Sequence, residues 1–409
     1  MRAINYIHDW NALPFKASAI ELEDDTLRDG LQGTFLKKLT LEQKLELIEL
    51  SINMGVTQFM LGFPAASESE YSDCFKTLKW LEKRNANIQV YFLARAKIED
   101  LTPIIQLSKE TTYPICADFF VGVSKLRRVV ENWDYNKLLS TCEQTANYAN
   151  EHHLPFSISL EDATRTTPDD IKTFITLALT KGAKRITLCD TVGALVPQGV
   201  FSLISSIRSY FSANKQKTAL GWHGHNDNGL ALANALAAVD AGIDFISGTF
   251  LGIGERSGNT ALEQVIFHLL HRGHSHFSLT PLMLYSEKLA KYVDYEIPSH
   301  APLVGSQAFA TSTGTHTNAI VKAKLLGSDF EDLVFSSVPA AVLNRRQELY
   351  LNHNSGLSNV KYLLTSHGIT ATEDDMQLLL EIAKKTNTHL TLTEIKKILL
   401  EKINVDDSR

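Results

Sequence analysis

Two rhythms of apolar and polar positions take turns along this chain. Short apolar runs at Ala19–Leu22, Gln58–Leu61, Ile88–Leu93, Cys116–Val121, Phe156–Leu160, Arg185–Cys189, Ala219–His223 and Phe245–Gly248 read as β-strands. Longer helix-type stretches separate them, at 41–54, 68–83, 98–109, 134–152, 168–181, 197–211, 230–241 and 258–272. The boundaries carry ordinary signals. Thr40, with Gln43 three residues on, reads as an N-cap. Thr167-Pro168 places proline at a first helical position. Gly55, Gly182 and Gly242 follow helices as C-terminal caps.

Eight strand–helix units in succession match the length and rhythm of a (β/α)8 TIM barrel. A doubly wound open sheet has the same alternation. The count of eight, and polar motifs that recur at strand ends, favour the barrel, where those ends converge on one face. The predicted organisation is a barrel over 1–275, a linking subdomain over 276–345 and a small helical subdomain over 346–409. Within the later part, helices are expected at 280–295, 317–326, Ser358–Ser366, Glu373–Lys385 and Leu392–Ile403, with loop character across much of 296–345.

Composition narrows the class of protein. The 409 residues are 44% hydrophobic and 21% charged, as in a soluble globular chain. A net charge of −6 without a basic block argues against nucleic acid as a partner. No apolar run approaches the roughly 20 residues of a membrane helix. The stretch Met1–Ala17 has no apolar h-region and is not Arg-rich, so no signal or transit peptide is expected. Cys74, Cys116, Cys142 and Cys189 are widely scattered, which suits reduced thiols in a cytoplasmic protein.

The run Trp222-His223-Gly224-His225-Asn226-Asp227-Asn228-Gly229 closes the seventh predicted strand. Residues two apart in a strand share a side, so His223 and His225 can aim both imidazoles at one point, as divalent-metal ligands do. Taken alone, the pair could equally be two ordinary histidines. The first strand runs into Asp24-Asp25-Thr26-Leu27-Arg28-Asp29-Gly30-Leu31-Gln32. Asp29 beside Arg28 could be a surface ion pair, or could complete a two-histidine, one-carboxylate metal site.

Three motifs together decide between these readings. They are Thr-Leu-Arg-Asp-Gly-x-Gln at 26–32, His-x-His-Asn-Asp-x-Gly-x-Ala-x-Ala-Asn at 223–234, and Gly252-Ile253-Gly254-Glu255-Arg256-Ser257-Gly258-Asn259. In this order, on strands 1, 7 and 8, they resemble the α-isopropylmalate synthase/homocitrate synthase family, metal-dependent barrel enzymes related to 3-hydroxy-3-methylglutaryl-CoA lyase. The resemblance covers about 18–385 and weakens after the barrel. It implies an acyltransferase that condenses acetyl-CoA with a 2-oxo acid and then hydrolyses the thioester. The commonest acceptor is 2-oxoisovalerate, in leucine biosynthesis; homocitrate or citramalate synthesis is the alternative. A carbon–carbon lyase is a further rival, against which the glycine loop at 252–259 argues. A non-catalytic sensor that binds metal and metabolite is another.

The resemblance also assigns roles. Asp29, His223 and His225 become ligands of a divalent metal (magnesium or manganese, with zinc as a further option), with Asn259 in or near its shell. Arg28 would stabilise the enolate or keto oxygen, and Gln32 would contact substrate. In Ser159-Leu160-Glu161-Asp162-Ala163-Thr164-Arg165, Glu161 would handle water or a proton and Arg165 would bind substrate or form an ion pair. In Asp190-Thr191-Val192-Gly193, Thr191 would hold the acceptor carboxylate. His316, within Thr313-Gly314-Thr315-His316, resembles a catalytic histidine lent by the second protomer of a homodimer.

Three positions depart from the family pattern. Met60 stands where a glutamate is usual, Arg127 closes Ser124-Lys125-Leu126-Arg127 where a histidine is usual, and Val334-Phe335 replaces a tyrosine before Pro339. The metal set is thus intact while the substrate set is altered. The segment 356–409 is too short for an allosteric C-terminal domain, so no leucine feedback by that route is expected; inhibition by leucine in a steady-state assay would refute this.

Overall fold

A computed structural model describes residues 3–8 and 20–406, with side chains to 402. Most of the stretch Met1–Ala17, and Ala19 of the first predicted strand, lie outside the described residues. The chain divides into two compact units, Pro14–Glu296 and Ile297–Arg409 together with Met1–Leu13.

The larger unit is a closed barrel of eight parallel strands: β1 (Glu21–Asp24), β2 (Gln58–Met60), β3 (Gln89–Arg95), β4 (Ile115–Gly122), β5 (Phe156–Glu161), β6 (Arg185–Asp190), β7 (Ala219–Gly224) and β8 (Phe245–Gly248). Pairing of β8 with β1, in the register Asp24 with Gly248, closes the ring. A helix follows each strand on the outside, from Leu41–Asn53 to Leu262–His271. The alternative of an open sheet is thereby excluded.

Strand chemistry follows the two faces. Phe59, Phe92, Phe119, Ile158, Leu188 and Trp222 are buried, and belong to the alternate set that packs against the helices. The opposite set is mixed, with Met60, Leu93 and Phe120 beside polar side chains. Asp118, Ser159, Thr187, His223 and Ser247 line the interior cavity. Below that cavity the Arg185 guanidinium contacts Glu23, lies 3.0 Å from Asp118 Oδ2 and donates to Gln58 Oε1 at 2.8 Å. It also stacks 3.3 Å from the centre of the Tyr91 ring and 4.5 Å from that of Phe245. Gly221 makes room for this stack, because a Cβ there would fall 2.0 Å from the Phe245 ring.

The helix ends match their sequence signals. Thr40 and Gln43 form a reciprocal capping box. Pro168 opens its helix behind Thr167, whose side chain accepts from the Asp170 N–H. Gly55, Gly182 and Gly242 take φ of +93°, +83° and +88°, the left-handed turn that ends a helix. The short helix Lys125–Val130 after β4 lies outside the predicted elements.

Helix Leu282–Val293 belongs to the barrel unit, where Lys288 reaches Glu46 at 2.8 Å on helix Leu41–Asn53. The observed division therefore falls after Glu296. The second unit holds helices Gly314–Lys324, Ser328–Leu333, Leu357–Ser366, Glu373–Ala383 and Leu392–Asp406, plus a two-stranded parallel ladder of Ala310–Thr311 with Glu348–Leu349. Its own core includes Leu351, Val360, Leu364, Leu379, Leu390 and Ile395. No helix among the described residues is long and apolar enough to cross a membrane.

Candidate active site

The site is built where the chain leaves β1, β7 and β8. After β1 the backbone curls back at once. The Asp25 carbonyl lies within reach of the N–H groups of Arg28, Asp29 and Gly30, at 3.3, 3.0 and 3.1 Å. The Thr26 hydroxyl accepts from the Phe250 N–H at 2.9 Å and ties this turn to the segment after β8. Asp29 is thus carried on a fixed turn at the barrel mouth, facing the histidines of β7.

Asp29, His223 and His225 bring three donor atoms together. Asp29 Oδ2 lies 3.3 Å from His223 Nε2 and 3.6 Å from His225 Nε2, and the two imidazole nitrogens are 3.4 Å apart. Metal–donor bonds of roughly 2.0–2.2 Å at angles near 90–110° set neighbouring donors about 3.0–3.6 Å apart. The triangle therefore fits one face of a single divalent ion. Asp29 Oδ2 is buried without a hydrogen-bond partner, as is Asn259 Oδ1. Asn259 pairs by backbone with His225 and donates its own amide to the Ile253 carbonyl at 3.2 Å, which leaves that oxygen free. On the other side of the His223 ring, Nδ1 meets the Ser247 hydroxyl at 3.1 Å, an outer contact that fixes the ring.

The glycines of the last loop make this possible. Gly258 takes φ +82°, and a Cβ there would sit 1.9 Å from the Gly252 carbonyl. A Cβ on Gly254 would meet the Asn259 amide at 2.3 Å. Only a bare backbone lets the loop fold this tightly and deliver Asn259. Arg256 then latches three loops, reaching Asp227 at 2.8 Å and the Thr191 carbonyl at 2.6 Å.

Electrostatics favour a bound cation. Burial pushes the Asp29 carboxyl up, but Arg28 and His223 together hold it well below the usual carboxylate range. Burial and the neighbouring His223 pull His225 down to about 4, so its ring is neutral and can bind a metal near neutral pH. Burial pulls His223 down as well, yet the Asp29 carboxylate outweighs it and the net shift is upward. A metal would take the place of that proton. Glu23, Asp25, Asp29 and Asp118 line the same cavity. Burial lifts the Asp25 carboxyl from 3.8 to about 8 against the pull of Arg28, and these four acidic groups are set against the two guanidiniums of Arg28 and Arg185.

The cavity is about 330 Å³ and also takes in Arg28, Gln32, Met60, Leu93, Phe120, Arg127, Glu161 and Thr191. Glu161 Oε1 lies 3.2 Å from Arg127 Nε, and burial raises the Glu161 carboxyl against the pull of that guanidinium. The Thr191 hydroxyl accepts from the Asp162 N–H at 2.9 Å. Arg165 is turned onto Asp162, with contacts of 2.7 and 2.8 Å. His316 lies on helix Gly314–Lys324 of the second unit, stacked 4.1 Å from the Phe335 ring.

Sequence reasoning passed over Asp25, Glu23 and Asp118. All three line the cavity, and Arg185 binds the last two. A signal was available: Asp118 is a charge set among apolar strand residues, Glu23 belongs to an acidic run on the first strand, and Asp25 stands three residues before Arg28.

The HMGL-like family model matches residues 19–288. Among its relatives, the homocitrate synthase AksA of Methanothermobacter thermautotrophicus is 31% identical over 90% of this chain and 88% of its own length. The 2-isopropylmalate synthase of Sulfurisphaera tokodaii is 31% identical over 95% of this chain and 93% of its own. Among solved structures, hydroxymethylglutaryl-CoA lyase from Pseudomonas aeruginosa superposes with a TM-score of 0.56 at 18% identity, over 68% of this chain and 93% of that one, a likeness of fold.

Proposed function

We propose, from the premise that this chain belongs to the HMGL-like family and to its acetyl-CoA-condensing synthases, that it is an acyltransferase joining acetyl-CoA to a 2-oxo acid. The observation that carries the reading is the buried triangle of Asp29, His223 and His225, which opens into the same cavity as Arg28 and Glu161. A divalent ion held there, with Asn259 beside it, would act as Lewis acid and template for the acceptor's keto and carboxylate oxygens.

The residues divide the remaining work. Arg28 places a fixed positive charge where negative charge develops on the enolate or keto oxygen. Its buried Nε has no partner within the protein and is left as a donor. Glu161, with a raised pKa, is suited to pass a proton or to orient the water that cleaves the thioester. Thr191 and Gln32 would hold the acceptor, and Arg165 would act at the rim. His316 keeps its assignment as a histidine lent across a homodimer. In the overall reaction the acetyl methyl loses a proton, its carbon bonds to the ketone carbon as the C=O π bond opens and the oxygen takes up a proton to become a hydroxyl, and water then cleaves the C–S bond to release CoA and a free carboxylate.

The acceptor we propose is 2-oxoisovalerate, because Met60, Leu93 and Phe120 form an apolar wall suited to a branched chain. Arg127 favours a second reading, a dicarboxylic 2-oxo acid whose far carboxylate would take over part of the Glu161 ion pair. Release of CoA thiol decides between them. Purified protein with manganese or magnesium and acetyl-CoA is offered a panel of 2-oxo acids, with Asp29→Ala as control. Turnover with 2-oxoisovalerate supports the first reading, and turnover with a dicarboxylic acid alone the second. No turnover with any acceptor, from protein shown to hold metal, would refute the synthase.

A further inference from the structure

Asp25 has no part in the chemistry just described, yet its carboxyl group holds both the Arg28 side chain and the Asp29 backbone. Its side chain is 1% exposed. One carboxylate oxygen, Oδ2, holds Arg28 Nη2. The other, Oδ1, accepts from the Asp29 N–H at 3.3 Å. Arg28 meanwhile spends Nη1 on Asp29 Oδ1, at 3.0 Å. The guanidinium is therefore strung between two carboxyl groups, with one nitrogen on each.

This division has a chemical consequence. A guanidinium offered a single carboxylate closes on it as a fork, with two parallel N–H···O bonds. Such a fork on Asp29 would occupy both oxygens, including Oδ2, the one that faces the imidazoles and has no hydrogen-bond partner. A guanidinium and a divalent cation would then compete for one oxygen. We propose that Asp25 is a positioning residue that prevents this, holding Arg28 off Asp29 Oδ2 so that the oxygen stays open to the metal and Arg28 keeps one orientation toward the substrate. The proposal rests on the metal and Arg28 roles given above. Asp25 acts through Arg28 and not through His223, whose Nδ1 is 3.7 Å from Asp25 Oδ2 but 3.1 Å from the Ser247 hydroxyl.

The test is a double-mutant cycle read without turnover. Mn2+ affinity is measured by the electron paramagnetic resonance of free ion in wild type, Asp25→Asn, Arg28→Gln and the double variant. Asparagine leaves Oδ1 to accept from the Asp29 N–H, so the turn is kept. An outer partner of a metal ligand is typically worth about 10–100-fold in affinity or activity. Asp25→Asn is expected to weaken Mn2+ about 10-fold in the wild-type background and less than about 2-fold once Arg28 is glutamine, with one ion still bound. In the CoA-release assay kcat should fall about 10–100-fold while the acceptor KM stays within about 3-fold. An equal loss of Mn2+ affinity in both backgrounds would overturn the proposal, since Asp25 would then act directly by its charge. Complete loss of the ion in Asp25→Asn would overturn it too, making Asp25 a ligand. If Asp25→Asn does not fold, Asp25→Ser in the same cycle supplies the shorter acceptor, with the same outcomes. A wild-type chain that binds Mn2+ but condenses nothing refutes the synthase and leaves the Mn2+ cycle to judge Asp25.

Discussion

Asp29 has two oxygens with different neighbours, and the site depends on that difference. Oδ1 is committed to Arg28 and Oδ2 faces His223 and His225. Asp29→Ala should therefore remove the metal along with the activity. The expected result is a loss of bound manganese to background by elemental analysis and a fall in CoA release of more than about 10³-fold, with the far-ultraviolet circular dichroism unchanged. Retained metal with lost activity would mean that Asp29 serves only Arg28. Met60 and Arg127 pose the complementary question. Both line the cavity, so Met60→Glu and Arg127→His should alter which 2-oxo acid is preferred while leaving metal content intact. Unchanged preference in both variants would show that the acceptor is read elsewhere.

At the scale of single elements, the junction between β8 and helix Leu262–His271 carries a titrating group outside the site. Glu263 accepts from the Leu251 N–H at 2.9 Å, and Leu251 itself holds a left-handed φ of +61°. Burial lifts the Glu263 carboxyl from 4.5 to about 7. A carboxyl with a raised folded-state pKa keeps a proton that the unfolded chain has released. Stability from this group therefore declines as pH rises from about 4.5 to about 7 and is level above that window. The shift corresponds to about 3 kcal/mol. Glu263→Gln retains an acceptor for the Leu251 N–H and should flatten this part of the dependence of Tm on pH, between about 4.5 and about 7. A variant whose decline matches the wild type would assign it to other groups. Glycines are as exacting as charges here. Gly258→Ala, with a Cβ 1.9 Å from the Gly252 carbonyl, should lower Tm by several degrees and reduce Mn2+ affinity through displaced Asn259.

Across the whole molecule, two units with separate cores should respond separately. Removing Arg185 strands Glu23 and Asp118 in the barrel without a counter-charge. Arg185→Leu is expected to cost about 3–5 kcal/mol of barrel stability, since breaking a buried ion pair leaves an unpaired charge inside. Leu379→Ala, in the core of the second unit, should cost about 2–5 kcal/mol there. Calorimetry of the full chain tests this: each variant should shift a different part of the unfolding profile, and a common shift would indicate one cooperative body.

The same contrast explains what was legible in the sequence. Barrel strands are buried on both faces, and turns between them demand glycine, proline or a capping side chain, so each leaves a mark within a short window. The triangle of Asp29, His223 and His225 was legible because His-x-His fixes two donors on one side of a strand and the flanking motifs are long. The cluster of Glu23, Gln58, Asp118 and Arg185 was not, because it joins β1, β2, β4 and β6 across 162 positions between Glu23 and Arg185. Helix Lys125–Val130 was missed for a local reason: it is six residues long and buries none of them, so no apolar stripe marks it.

The acidic and imidazole lining of the barrel also bears on anyone preparing the protein. A nest of carboxylate and imidazole that attracts a divalent ion has no means of asking where the ion came from. Nickel and copper bind such donors more tightly than magnesium or manganese does. Material drawn through a nickel affinity column is therefore expected to leave it carrying nickel in place of its working metal, and to be misjudged as a poor enzyme. Stripping with chelator and reloading with manganese before assay should restore turnover. Elemental analysis of the column eluate, showing about one nickel per chain beyond any tag-bound metal, would reveal the substitution.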